Sequence, residues 1–381
     1  MSLTSCSSDD FSEKDKATSR WDGSSKSRKL TDRLKRLGLL LLAPTSDIGI
    51  SSAFLIIFYY ILSQVYQILD ELSSFLWLGI PDHCPLFYRS DSWRIVLVTC
   101  YSFNDLQGYL SCVKSERSDL LSQKRKGYFN MCSKYYYKDN FSDHEMNILK
   151  QIRVDLPRTN PSFKIFKYKR LQDCMERILF VWSCLNPDSG YVQGINDLLT
   201  LFVIVFLRPY INKFNISIDD ISLLSDDSLS EIEADSFFCL SRILSELIEN
   251  YTENQPGVYR SLKRLCDLVK RIDYELYKHL EDLNVDFMQF PFRWMNCMLI
   301  REIPTDCSIR LWDTYISEIR NGMVTFHEYV SVAFLCYWSE QLRSMDYQHC
   351  LLFLQQLPTS NWCIKDIDTL IAKAYQIYIF T

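Results

Sequence analysis

Glycine and proline are both scarce in this chain of 381 residues, which contains 10 glycines and 11 prolines. So few chain-breaking residues, together with many Leu, Phe and Tyr, favour helices over an all-β fold with regular tight turns. The net charge of −5 argues against a general nucleic-acid-binding protein, because phosphate binding requires an excess of Lys and Arg. Apolar residues make up 48% of the chain, so a sizeable core can be buried.

The sequence also lacks the motifs of enzymes that hold their own nucleotide, nucleophile or metal. It contains no Gly-x-x-x-x-Gly-Lys-Ser/Thr loop, no Gly-x-Gly-x-x-Gly, no Gly-x-Ser-x-Gly and no His-Glu-x-x-His. The 14 cysteines include no Cys-x-x-Cys pair, and the five histidines show no recurrent spacing to Cys or Asp. We therefore expect no cofactor or metal of the protein's own, and free thiols in a reducing cytosol.

Two unusual segments lie at the start of the chain. Residues 1–36 are rich in Ser, Asp and Lys and basic at their end, and we expect them to be disordered. Residues 37–69 are apolar, and residues 48–69 carry no charged side chain, a length that suits a membrane span. Six Lys or Arg in residues 26–36 would then direct the rest of the chain away from the cytosol. Three interpretations of this segment stay open: a membrane helix, an interfacial or packed helix, and a segment foreign to the natural chain.

From about residue 70 to residue 378, apolar side chains recur at the spacing of helices. One such run begins at Leu171 and ends before Asn186-Pro187, and similar runs follow to the end of the chain. The pattern predicts an all-α fold with these side chains in the core. Residues 214–231 are rich in Asp and Ser and predict a surface loop.

Arg158 stands between two prolines in the segment Ile152–Pro161. Pro157 fixes its own φ and biases Leu156 away from helical backbone, which predicts a rigid, extended and exposed segment. Such a segment aims the arginine at a low entropic cost. Asp155, three residues upstream, is placed to hold either the guanidinium or the loop before a partner docks. Taken alone, the segment also fits a surface salt bridge at a helix end.

Gln193 follows a turn signature, Pro187 to Tyr191, which leads into an apolar helix predicted to begin near Val192. The flanking residues Gly190 and Gly194 allow another backbone or a ligand to approach closely. The alternative for this segment is a helix-start turn with a solvated glutamine. Small GTPases need an arginine to neutralise charge on the transferring phosphoryl group and a glutamine to orient the attacking water, and this chain presents both residue types.

Three blocks of sequence together carry a family resemblance. Ile152-x-x-Asp155-x-x-Arg158 resembles the arginine-finger motif of the TBC domain, the Rab GTPase-activating module. Ser189-Gly190-Tyr191-Val192-Gln193-Gly194 is similar to its glutamine-finger motif. Residues 287–302 followed by Arg310-Leu311-Trp312-Asp313 resemble its third block. The resemblance covers roughly residues 69–378, and the residues of these motifs are similar to those of the Golgi-associated branch of the family.

The resemblance implies an all-α, two-lobed helical TBC domain at residues 70–378. Its N-terminal lobe would cover about 70–235 and its C-terminal lobe about 236–378. The implied partner is a Rab-family GTPase in the GTP-bound state, which carries the GTP and Mg²⁺, and no nucleic acid is expected. The implied setting is vesicle traffic in the cytoplasm, at the surface of the Golgi or another endomembrane.

The resemblance also implies roles for individual residues. Arg158 would enter the Rab active site, and Gln193 would position the water in place of the Rab's own glutamine. Supporting roles fall to Asp155, Thr159, Tyr191, Gly194, Asn196 and Asp197. Buried bracing roles fall to Trp294, Arg310, Trp312 and Asp313. The alternatives are a Rab-binding scaffold without catalysis and a membrane-anchored adaptor.

Overall fold

The computed structural model describes residues 69–81, 83–98, 114–288 and 290–381. Across these residues helix follows helix and no strand occurs, so the predicted all-α class is confirmed. They belong to one compact unit, Gln67–Thr381. The division into two lobes stays a prediction. The predictions for residues 1–36 and, apart from Leu69, for residues 37–69 lie outside the described residues.

The first eight helices lead to the middle of the chain. They are α1 (69–78), α2 (Phe87–Val98), α3 (Lys114–Tyr135), α4 (Asp143–Asp155), α5 (Lys169–Leu185), α6 (Ile195–Ile211), α7 (Ile218–Ser222) and α8 (Asp226–Glu246). Two 3-10 turns, Leu156–Arg158 and Lys164–Lys167, lie between α4 and α5. The first of these turns carries the predicted arginine finger.

The remaining helices complete the domain. They are α9 (Ile248–Tyr251), α10 (Pro256–Ile272), α11 (Tyr274–Asp282), α12 (Phe292–Cys297), α13 (Thr305–Ser317), α14 (Met323–Tyr337), α15 (Ser339–Arg343), α16 (Tyr347–Gln355) and α17 (Ile364–Phe380). None of the helices in the described ranges combines the length and apolar content that crossing a bilayer requires. The candidate span at residues 48–69 lies almost wholly outside those ranges, so its role stays open.

Helix α6 lies at the centre of the core. Every residue from Ile195 to Arg208 is buried, and the helix packs against α2, α5, α8 and α13. A helix that is apolar on all sides is stable only when neighbours cover all of them, which is the situation here. Because α6 starts directly after Gly194, Gln193 stands at the N-terminal end of this deeply packed helix.

The surface loop predicted at residues 214–231 is wrong, since α7 and the start of α8 lie within it. Ser217 accepts a hydrogen bond from the Asp220 backbone N–H, and the Asp220 carboxylate accepts one in return from the Ser217 N–H. Ser225 likewise caps the start of α8. Serine and aspartate favour helix starts as well as loops, because they satisfy free N–H groups and the helix dipole.

Helix α13 holds the N-terminal part of the described chain through Asp313, which is fully buried. The Asp313 carboxylate accepts hydrogen bonds from Trp93 Nε1 at 2.7 Å, from the Ile80 backbone N–H at 3.2 Å and from Arg89 Nε at 3.2 Å. Burial raises the pKa of Asp313, although the Arg89 charge opposes the rise. The carboxylate therefore joins α13 to a segment more than 200 residues earlier in the chain.

Candidate functional site

The Arg158 segment is helical rather than extended. Helix α4 ends at Asp155 and continues directly into the 3-10 turn Leu156–Arg158. Leu156 has φ −56° and ψ −45°, and its N–H donates to the Ile152 carbonyl, so the predicted extended backbone is wrong. Burial of the Leu156 side chain in the core outweighs the extended preference that a following proline imposes. Pro157 is tolerated because the first turn of a helix needs no N–H donor there.

Asp155 orients the Arg158 guanidinium, as the spacing of the two residues predicts. Arg158 Nε donates to Asp155 Oδ1 at 3.0 Å, and Nη2 donates to the same oxygen. The Asp155 side chain is fully buried, whereas 54% of the Arg158 side chain is exposed. One edge of the guanidinium is therefore fixed by a buried carboxylate while the side chain stays accessible to a partner.

Gln193 lies in the turn between α5 and α6, and its side chain is exposed. The turn contains two glycines in the left-handed region, Gly190 with φ +62° and Gly194 with φ +114°. A Cβ at Gly194 would lie 2.6 Å from Asn296 Nδ2, whereas a Cβ at Gly190 would meet nothing within 4 Å. A side chain, that of Asn296, therefore approaches Gly194 closely, while the open space at Gly190 leaves the approach of a partner group there a prediction.

Tyr191 connects the Gln193 turn to the arginine segment. Its hydroxyl donates to Asp155 Oδ2 at 2.9 Å and lies 3.2 Å from Asn196 Oδ1. Burial, followed by the nearby Asp155 charge, raises the pKa of Tyr191, so the phenol keeps its proton and acts as a donor. Asp155 consequently contacts a side chain from each of the two segments.

Asn196 makes a second connection between the same segments. Its Oδ1 accepts from the Gly194 N–H at 3.0 Å, and its Nδ2 donates to Thr159 Oγ1 at 2.8 Å. Thr159 Oγ1 in turn donates to the backbone carbonyl of Asp155 at 3.0 Å. The structure therefore brings five of the six predicted supporting residues into one hydrogen-bond network, which joins Asp155, Thr159, Tyr191, Gly194 and Asn196. Their functional roles stay predictions.

Asp197 is the supporting residue whose carboxylate lies outside this network. It is buried in the first turn of α6, and its nearest cationic group is Arg301 Nε at 3.8 Å from Oδ2. Cys297 Sγ lies 4.0 Å from the same oxygen. Burial raises the pKa of Asp197, and the Arg301 charge opposes the rise. The surroundings of Asp197 indicate support for the start of α6 rather than direct contact with a partner.

Sequence reasoning missed Asn296, which reaches the Gln193 turn from α12. Asn296 Nδ2 donates to the Gln193 backbone carbonyl at 2.9 Å. Behind it, the hydroxyl of the buried Tyr251 donates to the Asn296 carbonyl at 2.7 Å, and Ser189 Oγ donates to the Tyr251 carbonyl at 3.0 Å. Asn296 belongs to the third sequence block, but no local pattern indicates contact with a turn 103 positions earlier.

The four predicted bracing residues are all buried, namely Trp294, Arg310, Trp312 and Asp313. Their hydrogen bonds go elsewhere than to Arg158 and Gln193. Arg310, for example, donates to the Trp77 carbonyl at 3.2 Å, and the Trp294 carbonyl lies 3.1 Å from Nε2 of His327. Arg310 and Asp313 join α13 to the start of the described chain, and the bracing of the site stays a prediction.

Two further observations concern metal ions and pockets in the described ranges. No group of three or more His, Cys, Asp or Glu side chains there is arranged to hold a metal ion. A pocket of about 240 Å³ lies between α5 and α8, lined partly by Arg170, Arg177, Asp226 and Glu233. Arg170 pairs with Asp226 and Arg177 with Glu233, so these charges already neutralise one another.

The sequence is similar to a known protein family and to individual proteins. A family model, the Rab-GTPase-TBC domain, matches residues 88–343. TBC1 domain family member 22B of Homo sapiens is 42% identical over 325 residues, which cover 85% of this chain and 61% of that protein. GTPase-activating protein gyp1 of Schizosaccharomyces pombe is 39% identical over 352 residues, which cover 92% of this chain and 61% of that protein. The chain thus spans about three fifths of these relatives' length.

Solved structures show the same architecture. The crystal structure of the Ypt/Rab-GAP domain of Gyp1p matches with a TM-score of 0.73 and 36% identity, covering 84% of this chain and 99% of that one. A Chlamydomonas flagellar RabGAP TBC domain matches with a TM-score of 0.50 and 14% identity. The second match concerns the fold alone, whereas the first covers a whole domain at substantial sequence identity.

Proposed function

Because this chain belongs to the Rab-GTPase-TBC domain family, as its motifs predict, we propose that it accelerates GTP hydrolysis by a Rab-family GTPase. The partner is in the GTP-bound state and carries the GTP and Mg²⁺, while this chain supplies Arg158 and Gln193. One observation carries the proposal. An exposed guanidinium and a turn bearing an exposed carboxamide are both tied to the single buried carboxylate of Asp155.

Arg158 acts on the transferring phosphoryl group. Negative charge that develops on the phosphoryl oxygens is neutralised by a guanidinium inserted from outside, which in GTPases is worth about 10³–10⁵ in rate. Asp155 accepts from Nε and Nη2, so this contact leaves both N–H groups of Nη1 and the second N–H of Nη2 for the phosphate oxygens. The buried carboxylate restrains the arginine before docking and lowers the entropy lost when it enters the partner's site.

Gln193 acts on the attacking water. Its carboxamide offers both a donor and an acceptor, which is the combination needed to hold a water molecule in line with the scissile bond. The exposed position at the N-terminal end of α6 allows this side chain to reach a docked partner. Since α6 is buried throughout its length to Arg208, the turn stands on a rigid support.

The test is single-turnover GTP hydrolysis by a panel of GTP-loaded Rab proteins, with and without this protein. For the Rab that responds, Arg158→Ala lowers the accelerated rate by about 10³-fold or more, and Gln193→Ala lowers it strongly. Arg153→Ala is a matched control, because Arg153 lies one turn earlier, is 56% exposed and also pairs with a buried carboxylate, Glu176. If no Rab responds, or if both finger variants act like Arg153→Ala, the mechanism is wrong.

A binding scaffold without catalysis is the second candidate function. It predicts that the protein binds a GTP-loaded Rab while the hydrolysis rate stays at its intrinsic value. Retention of both Arg158 and Gln193 on accessible positions favours catalysis, because a pure scaffold has no need of either group. Binding measured alongside hydrolysis separates the two functions.

We place this activity in vesicle traffic, on the cytoplasmic surface of the Golgi or another endomembrane. This placement is supported by the similarity of the motif sequences to those of the Golgi-associated branch of the family. Carbonate extraction of membranes from expressing cells tests the nature of the association, because a peripheral protein is released and an integral one is retained. A retained protein would instead favour the membrane-anchored adaptor.

A further inference from the structure

We infer that Asn296 is a positioning residue for Gln193, acting through the backbone of the glutamine turn. This inference rests on the proposed function. Asn296 Nδ2 donates to the Gln193 carbonyl at 2.9 Å, and only 7% of Asn296 is exposed. The amide therefore fixes the peptide group between Gln193 and Gly194, and with it the direction in which the glutamine side chain leaves the turn.

The orientation of the Asn296 amide follows from its neighbours. Turning the amide over would place Oδ1 against the Gln193 carbonyl oxygen, where two acceptors repel each other. In the orientation that donates, Oδ1 is buried and accepts no hydrogen bond from the described residues. An unsatisfied buried acceptor costs free energy, so the bond to Gln193 is retained at the expense of the other half of the amide.

Gly194 makes this contact feasible. Any Cβ at position 194 would lie 2.6 Å from Asn296 Nδ2, well inside contact distance. The glycine also takes φ +114°, a conformation that other residues rarely adopt. The absence of a side chain at Gly194 therefore leaves the space through which Asn296 reaches the Gln193 carbonyl.

Asn296 is itself held from behind. The hydroxyl of Tyr251 donates to the Asn296 carbonyl at 2.7 Å, and Tyr251 is 1% exposed. The Tyr251 carbonyl accepts from Ser189 Oγ at 3.0 Å, at the other end of the same turn. The turn is therefore anchored to α9 at Ser189 and to α12 at Gln193 itself. This anchoring holds the peptide of a residue whose side chain is exposed and has to be aimed.

The test is Asn296→Ala, assayed for hydrolysis with increasing concentrations of the responsive GTP-loaded Rab. We expect kcat to fall about two- to tenfold, as for the loss of one hydrogen bond, with KM nearly unchanged because the outer surface is untouched. Ser90→Ala is the matched control. Ser90 is also a buried side chain that donates to a backbone carbonyl, that of Phe87 at 3.0 Å, but it lies on α2 and outside the hydrogen bonds of the Gln193 turn. It should leave both constants near the wild-type values.

A double-mutant cycle separates positioning from a general structural role. If Asn296 acts through the Gln193 side chain, Gln193→Ala combined with Asn296→Ala is no slower than Gln193→Ala alone. Additive losses, or an Asn296→Ala that matches Ser90→Ala, overturn the inference while the proposed function stands. If Gln193→Ala itself has no effect, the proposed role of the glutamine fails instead, and the inference fails with it.

Asn296→Asp keeps the test decisive if the alanine variant does not fold. An ionised aspartate cannot donate to the Gln193 carbonyl, whereas a protonated one can. The kcat of Asn296→Asp relative to wild type should therefore rise as the pH falls toward the range in which a buried carboxyl group gains its proton. A ratio that does not change with pH contradicts the inference.

Discussion

The hydroxyl of Tyr191 lies 2.9 Å from Oδ2 of Asp155, and the other oxygen of that carboxylate holds Arg158. A single buried side chain thus contacts both segments that carry the proposed catalytic groups, although Tyr191 and Asp155 are 36 positions apart. Asn196 and Thr159 join the same two segments by a second route. The two segments are therefore expected to keep a fixed relationship before any partner docks.

Tyr191→Phe tests this relationship directly. Loss of the hydroxyl leaves Asp155 Oδ2 buried without its donor, which should lower the free energy of unfolding by about 1–3 kcal/mol. The kcat/KM for the responsive Rab should fall about tenfold, because the two segments lose one of their connections. Urea unfolding and single-turnover hydrolysis measure the two effects. Tyr277→Phe is the control, since the Tyr277 hydroxyl also bonds a carboxylate, Glu281 at 2.6 Å. Equal behaviour of the two variants would argue against the connection.

Asp155→Asn and Asp313→Asn are the same change at two fully buried aspartates with different neighbours. Either change removes the carboxylate partner of an arginine, Arg158 or Arg89. About 3–5 kcal/mol is expected at Asp313, because Arg89 is only 11% exposed and is left as a buried charge without its partner. The cost at Asp155 should be smaller, because Arg158 is 54% exposed and water can solvate its charge. The Asp313 variant should keep its kcat/KM per folded molecule. The Asp155 variant should lose at least tenfold, because the guanidinium is no longer held. Hydrolysis assays normalised to the folded fraction compare the two variants. A comparable loss of kcat/KM in both variants would mean that Asp155 is purely structural.

Gly194→Ala and Gly190→Ala distinguish backbone strain from lost space. Both glycines have positive φ, so each alanine variant incurs strain of about 1–2 kcal/mol. Only at position 194 does the new Cβ also meet the Asn296 amide, at 2.6 Å. Gly194→Ala should therefore lose more stability than Gly190→Ala, and most of its kcat as well. Thermal unfolding and hydrolysis measured on both variants make the comparison. Indistinguishable variants would mean that the Asn296 contact is unimportant.

Local sequence rules predicted those parts of the site that depend on short separations. The scarcity of glycine and proline, with apolar residues at helical spacing, predicted the all-α fold. The three-residue separation of Asp155 and Arg158 predicted their contact, which the hydrogen bond at 3.0 Å confirms. The turn signature from Pro187 to Tyr191 predicted a turn that leads into an apolar helix, and Gln193 lies in that turn directly before α6. In each case the cause lies within a few positions along the chain.

The rules failed where tertiary packing decides the outcome. Leu156 was expected to be extended because a proline follows it, but burial in the core keeps it helical. The helix α6 begins at Ile195 rather than near Val192, because Gly194 takes a left-handed conformation against Asn296. Asn296 itself could not be identified, since its partner lies 103 positions away and a buried asparagine carries no local signal.

His327 is expected to make the stability of the fold depend on pH. It is buried, its Nδ1 lies 2.7 Å from the Tyr315 hydroxyl, and its Nε2 lies 3.1 Å from the Trp294 carbonyl, so the ring is neutral with Nε2 as the donor. Burial lowers the pKa of His327 from 6.5 to about 4. His327 is therefore protonated near pH 6.5 in the unfolded chain, but only near pH 4 in the folded chain.

Because the unfolded chain binds this proton more readily, acid destabilises the fold. The contribution of neutral His327 to the free energy of unfolding is fully present above about pH 6.5 and is lost as the pH falls toward 4. The loss amounts to roughly 3 kcal/mol in the free energy of unfolding. Buried carboxyl groups with raised pKa values, such as Asp313 and Glu328, oppose it in the same range, so the measurement is a difference between variants. Denaturant unfolding between about pH 4.5 and 7, which covers most of the range from about 4 to 6.5, should show the component in wild type and in the exposed-site control His144→Gln. It should be absent from His327→Gln, and its persistence there would show that another group titrates.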